Sequence, residues 1–162
     1  MSLPVDYLVA SLKPLAFDAP PPYTAEEFAA CVGEVALPPA WRDLETQIRN
    51  TLAEERARRL AARGASADTT RWRRPAHGCA LYWQQRVRAA LAEKDPRLRD
   101  TAVDRVFWDA AGELTPPADP LGRGALATYA IRLTIARRRA AVSSDAGLQI
   151  LDRLTDTGKK ES

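Results

Sequence analysis

Through most of this chain apolar side chains recur every three or four residues, with charged and polar residues between them. That period places the apolar positions on one side of an α-helix and leaves the other side for water. The clearest run begins at Pro39, a residue suited to a first helical turn, and ends at Gly64. Trp41, Leu44, Ile48, Leu52 and Leu60 form its inner stripe, and Arg42, Glu45, Arg49, Glu54, Glu55, Arg58 and Arg59 lie between them. A helix over about 76–94 carries Cys79, Tyr82, Trp83, Val87, Ala90 and Leu91, and Asp95-Pro96 closes it. The next, over about 98–113, turns Val103, Val106, Phe107 and Ala110 inward. After the turn LTPPADP a helix over about 120–141 carries Leu126, Tyr129, Ala130 and Leu133. Ile131 and Ile135 give it a second apolar edge, so burial on two sides is expected. A last helix, about 144–155, would bury Leu148, Leu151 and Leu154.

The first residues read differently. Residues 3–12 (LPVDYLVASL) are apolar and partly β-branched, which fits a short strand or an extended segment packed on the body. Lys13-Pro14 stops any regular element, because proline disfavours helix in the residue before it. Pro20, Pro21 and Pro22 favour a stiff polyproline-type extension. Thr24 with Glu27 three residues on is a capping box, opening a first helix near 24–33 that shows Phe28 and Cys31 on one side and stops at Gly33. Residues 64–71 (GASADTTR) read as a loop. The expected fold is all-α: a single helical domain of about six helices over 24–155, an extended proline-rich strap over 1–23, and a flexible tail over 156–162.

Length and composition narrow the class further. The 162 residues suit one domain, and the 46% hydrophobic and 28% charged content is ordinary for a globular protein. No apolar run reaches the roughly 20 residues a membrane span needs. Asp6 breaks the short apolar start, and no basic segment precedes it, so a signal peptide is not expected. A cytoplasmic location follows.

Little in the sequence points to catalysis. There is no GxxxxGK[ST] loop and no GxGxxG. Cys31, Cys79 and His77 could supply at most three of the four ligands of a structural zinc site, and the plain reading is two buried thiols. The spacing of His77 and Cys79 sets them roughly 200° apart on a helix. Gly122 and Gly124 flank Arg123 ahead of a helix, an arrangement that could meet an anion. No catalytic, cofactor-binding or metal-binding residue is assigned, and no cofactor or small-molecule substrate is expected.

Charge adds one candidate surface. Only four of the 24 basic residues are lysines; Arg56, Arg58, Arg59, Arg63, Arg71, Arg73 and Arg74 fall within one stretch that also holds Trp72. Arginine beside an aromatic suits phosphate or nucleic acid. The net charge of only +3, and the glutamates on the same helix, argue instead for pairing with an acidic protein surface. Arg137-Arg138-Arg139 point three ways around their helix and do not form one patch.

One stretch carries a family resemblance. DYLVASLKPLAFDAPPPYTAEEFAACV resembles the start of a bacterial family, domain of unknown function 2764, whose pattern opens YxLVASLPxL, then an apolar-acidic step, prolines and an S/T-x-E-E-F helix. The matching residues are Tyr7 to Leu12, Pro14, Leu15, Phe17, Asp18, Pro21, Pro22, Thr24, Glu26, Glu27, Phe28 and Cys31; Lys13 stands where the pattern has proline. Further on, Phe107, Trp108, Tyr129, Arg132, Leu133 and Gly147 fit it more loosely. Genes of that family sit among those of V/A-type ATPases. The stretches AVDRVFW and LATYAIRLTIARRR are in addition similar to the helical modules of the stalk subunit called C, or d, of those ATPases.

The resemblance implies a non-catalytic structural or accessory subunit of a bacterial V/A-type rotary, ion-translocating ATPase, cytoplasmic and on the membrane only through the complex. Its partner-contact candidates are Tyr7, Leu12, Leu15, Phe17, Tyr23, Trp108, Tyr129 and Arg132. The alternative is an Arg-rich nucleic-acid-binding helical protein. The strap's apolar residues would serve either a partner or the chain's own core.

Overall fold

The computed structural model describes residues 3–66, 69 and 80–142. Among them are six α-helices and no strand: α1 (Val5–Ser11), α2 (Ala25–Val32), α3 (Pro39–Ala61), α4 (Leu81–Ala92), α5 (Pro96–Ala111) and α6 (Arg123–Ala141). A single 3-10 turn, Gly112–Leu114, extends α5. The all-α reading holds. The helix expected over 144–155, the tail, and the residues before Ala80 in the third predicted helix lie outside the described residues.

Helix α5 sits at the centre and packs against α3, α4 and α6. The core joins Trp41, Ile48 and Leu52 of α3 to Trp83, Val87 and Leu91 of α4, to the Val106–Ala111 segment of α5, and to Ile131, Ile135 and Ala136 of α6. These are largely the residues of the sequence stripes. Tyr82 and Leu60 are exceptions, lying 54% and 42% exposed. Leu126 and Leu133 are buried as well as Ile131 and Ile135, so α6 is covered on two sides as its two apolar edges require.

The helix ends follow local chemistry. Thr24 and Glu27 form the predicted box: Glu27 N–H donates to Thr24 Oγ1 at 3.2 Å and Thr24 N–H to Glu27 Oε2 at 2.8 Å. Gly33 stops α2 with φ +73°, a conformation that costs a side chain dearly. Asp95-Pro96, expected to close α4, opens α5 instead; α4 already ends at Ala92, with Glu93 as its C-cap. The Asp95 carboxylate accepts from Arg97 N–H at 2.8 Å, and Pro96 occupies the first turn, where a missing N–H costs nothing.

The strap departs from expectation at its start. Residues 5–11 are helical; the extended backbone begins at Leu12. Pro4 supplies the entry, its carbonyl accepting from Leu8 N–H at 3.0 Å. The half-buried positions of this segment are Val5, Leu8, Val9 and Leu12, a spacing of i, i+3, i+4, i+7. The helical period is thus present in the sequence; the β-branched valines obscured it. No residue of α1 is fully buried, and the helix packs against α6.

Candidate site: the strap clasp

From Lys13 to Tyr23 the strap, which turns at Ala16–Ala19, crosses α5 and α6 and is held at two points. The first is built on Phe17. Its ring meets Trp108 edge-on at 5.3 Å between centroids, with the guanidinium of Arg139 3.7 Å and that of Arg105 4.8 Å from its centre. Arg139 also donates to the Phe17 carbonyl at 2.9 Å and lies 3.5 Å from the Asp18 carboxylate. A planar guanidinium suits this double duty: it stacks on a ring and still directs its N–H groups at oxygen. Tyr129, Arg132, Ala136 and Arg139 follow the i, i+3, i+7, i+10 spacing of one helical face, and that face of α6 meets the strap.

The second point is built on Lys13 and Tyr23. Lys13 N–H donates to the Tyr23 hydroxyl at 3.1 Å, and the Lys13 carbonyl accepts from Tyr129 Oη at 2.8 Å. The Lys13 ammonium lies 4.7 Å from the centre of the Tyr23 ring and donates to the Pro22 carbonyl at 3.3 Å. Proline at position 13 would remove the first of these bonds. Phe28 of α2 completes the cluster, stacked on Tyr129 at 5.6 Å and tilted against Tyr23 at 6.1 Å. Burial pushes the Tyr129 phenol up to about 12, with the Tyr23 phenol adding in the same direction.

Of the eight residues singled out in the sequence, the clasp brings seven together. Phe17, Tyr23, Trp108, Tyr129 and Arg132 make the contacts above or flank them, and Leu12 and Leu15 line a pocket beside them. Tyr7 stands apart on the outer face of α1, 60% exposed. Tyr23 and Trp108 are buried, 8% and 6% exposed, so both serve the chain's own interior. The strap therefore does cover its own core: Leu15 and Phe17 pack against the main cluster. Arg105, Arg139 and Phe28 were not singled out for this role. The single-face spacing on α6 points to Arg139, and Phe28 stands on one side of the first helix, whereas Arg105 carries no local signal.

Other candidates fall elsewhere. In the basic stretch, Arg56, Arg58, Arg59 and Arg63 lie exposed at the end of α3, while Arg71, Arg73 and Arg74 are outside the described residues. Arg58 and Arg88 of α4 both bind Glu55, and the Arg88 bond chiefly holds that carboxyl below its usual range. Cys31 is exposed, which corrects the expectation of a buried thiol: it lies on a two-turn helix with no buried residue. Cys79 and His77 are outside the described residues. At the start of α6 the Asp119 carboxylate lies against Gly122 where a Cβ would be, so the chain's own acid stands where an outside anion was considered. Gly124 brings α6 against the Leu114 carbonyl, a contact with no room for a side chain. Arg137, Arg138 and Arg139 do diverge: Arg138 pairs with Asp104, Arg139 with the strap, and Arg137 borders a groove.

That groove, about 400 Å³, runs between α2, the start of α3 and α6. Phe28, Val35, Leu37, Trp41 and Phe107 line it, with Arg49, Arg137 and Arg138 at its edges. No described helix is long and apolar enough to cross a membrane. Among the described residues no group of three or more His, Cys, Asp or Glu is placed to hold a metal ion. Neither the protein-family models, the curated proteins nor the solved structures contain a match to this chain.

Proposed function

We propose that this chain is a non-catalytic structural or accessory subunit of a bacterial V/A-type ATPase, acting through protein–protein contacts. The observation that carries the reading joins sequence to geometry. The stretch with the family resemblance, residues 6–32, supplies one whole side of the clasp, and the looser C-terminal matches Trp108, Tyr129 and Arg132 supply the other. Phe17 and Phe28 of that stretch meet Trp108 and Tyr129 of the later ones, which supports reading these stretches as parts of one module.

The clasp also gives the module a use. It fixes the chain at both ends of the extended segment, so α1 is held by Lys13 and α2 by Tyr23. Tyr7 on α1 and Leu3 just before it are then exposed, at 60% and 53%. Apolar side chains on an ordered backbone bind a partner with little further loss of entropy. The groove beside α2 offers a second apolar surface with arginines at its edges, a composition common at protein interfaces. The membrane would be reached only through the complex.

The test is co-purification of tagged protein from its own host in mild detergent, beside a Leu3→Asp/Tyr7→Asp variant. Catalytic and stalk subunits of a rotary ATPase should come down in fixed ratio with the parent and be lost with the variant. Recovery of the protein alone, or with nucleic acid, would reject the reading and turn attention to the arginines of α3.

A further inference from the structure

The pocket beneath α1 differs from the apolar groove in one respect. It encloses about 320 Å³, at the small end for ligand sites. Val9, Leu12 and Leu15 give it an apolar side, and Thr115, Tyr129 and Arg132 a polar one. Arg132 is the odd member. Its Nε–H donates to the Trp108 carbonyl at 3.0 Å, and its guanidinium lies 5.2 Å from the centre of the Trp108 ring. It is half-buried, yet no carboxylate among the described residues comes within ion-pair distance of it, unlike Arg86, Arg88, Arg138 and Arg139. No terminal nitrogen of Arg132 has a hydrogen-bond partner among the described residues. Nor is any buried side-chain nitrogen or oxygen left without one, so those terminal nitrogens keep some exposure, with Nη2 lying over the Gly112 backbone.

A guanidinium withdrawn from water is costly unless something replaces the water, and the acid that acts on Arg132, Asp109, is beyond ion-pair distance and already paired with Arg86 and Arg105. Its planar fork matches a carboxylate. The other polar groups on this wall are already engaged. Thr128 donates to the Ala111 carbonyl at 2.7 Å and meets the Thr115 hydroxyl at 2.8 Å, while Tyr129 donates to Lys13. That leaves Arg132, with Lys13 also on the lining, as the groups able to meet an anion beside the apolar residues.

We propose that this pocket binds a carboxylate carrying a short apolar group, with Arg132 as its anchor and the Val9, Leu12 and Leu15 wall taking the apolar part. The carboxylate can come from a free small acid or from the end of a polypeptide; the chemistry recognised is the same. Burial pushes the Arg132 guanidinium down, and a bound anion would offset that. This inference does not rest on the ATPase reading, since it needs only the purified chain.

The experiment is an NMR titration of the labelled protein with hexanoate, hexanamide, and a short peptide ending in leucine with a free or amidated C-terminus. Saturable shifts at Thr115, Thr128 and the Arg132 Nε–H are expected from an acid and not from its amide. Arg132→Gln should weaken binding about tenfold or more, the loss expected for a charge-assisted bond. Ala125→Leu, which fills the pocket and keeps Arg132, should weaken it too, and guards against a misfolded arginine variant. Binding of hexanoate assigns a small acid; binding of the free-ended peptide alone assigns a polypeptide terminus. If no acid binds, if the amides bind as well, or if Arg132→Gln leaves affinity unchanged, the proposal is wrong.

Discussion

Two groups of arginines show how differently one residue type is used here. Arg56, Arg58, Arg59 and Arg63 crowd the end of α3, conspicuous in the sequence and exposed in the structure. Arg105, Arg132 and Arg139 are scattered through α5 and α6, yet each lies over an aromatic ring, and Arg132 and Arg139 also bond backbone carbonyls. Density along the chain marks the first group; placement against the strap gives the second its function. An arginine whose stem and fork both find partners contributes packing as well as charge. One that ends in water contributes mainly charge, which salt screens. The comparison can be broken from either side.

The largest effect should come from the clasp's floor. Trp108 is buried and supports both the Phe17 edge and the Arg132 guanidinium. Trp108→Ala should cost about 3–5 kcal/mol, the usual loss for a buried large aromatic, read as a fall in the urea midpoint. A loss below about 1 kcal/mol would show that the strap does not depend on α5. Next is Gly124→Ala. A Cβ there would run into the Leu114 carbonyl, backbone that cannot swing aside, so α6 must shift. About 1–3 kcal/mol is expected, as for other overpacked sites. Gly33→Ala differs in cause: there is open space around that position, and the cost is the positive φ alone.

How far the clasp could be read in advance depends on the length scale of each signal. Periodicity carries helix faces, so the stripes of α3, α4, α5 and α6 emerged from spacing, and Thr24 and Glu27 announced the start of α2 within four residues. The same rule held in residues 5–11, where Val5, Leu8, Val9 and Leu12 keep helical spacing, but valine's preference for strands outweighed it in a seven-residue segment. The clasp itself joins Phe17 to Trp108 and Lys13 to Tyr129. No local pattern encodes pairs so distant in sequence. The strap candidates and those on α5 and α6 stand out separately in the sequence; that they touch is a property of the fold. Asp95-Pro96 shows another limit: it reads as the end of one helix, yet α4 stops at Ala92 and the dipeptide starts α5.

A smaller effect tests the second holding point. Tyr129→Phe removes one hydroxyl bond to the strap and keeps the ring stack on Phe28, so about 1 kcal/mol should be lost. The same phenol gives a pH signature. Its folded-state value lies near 12 against an ordinary value of 10, so between these the unfolded chain releases the proton while the folded chain holds it. Stability from this group is present below the unfolded value and falls as pH rises through that window. Parent and Tyr129→Phe should therefore converge in stability at the alkaline end. Parallel curves would mean that the phenol is not shielded by the strap.

The smallest effect belongs to the conspicuous arginines. Arg56, Arg59 and Arg63 have no ion pair among the described residues, and Arg58 shares Glu55 with the better-placed Arg88, which ties α3 to α4. Replacing Arg56, Arg59 and Arg63 by glutamine should change stability by less than about 0.5 kcal/mol each, as for other surface sites without partners. Arg139→Gln should cost more than the three together, because it uncovers Phe17 and releases the strap carbonyl. High salt sharpens the contrast: it screens the exposed charges and leaves the stacked guanidinium largely untouched. If the triple variant proved the more damaging, the end of α3 would have a structural partner of its own, and the division between displayed and clasping arginines would fail.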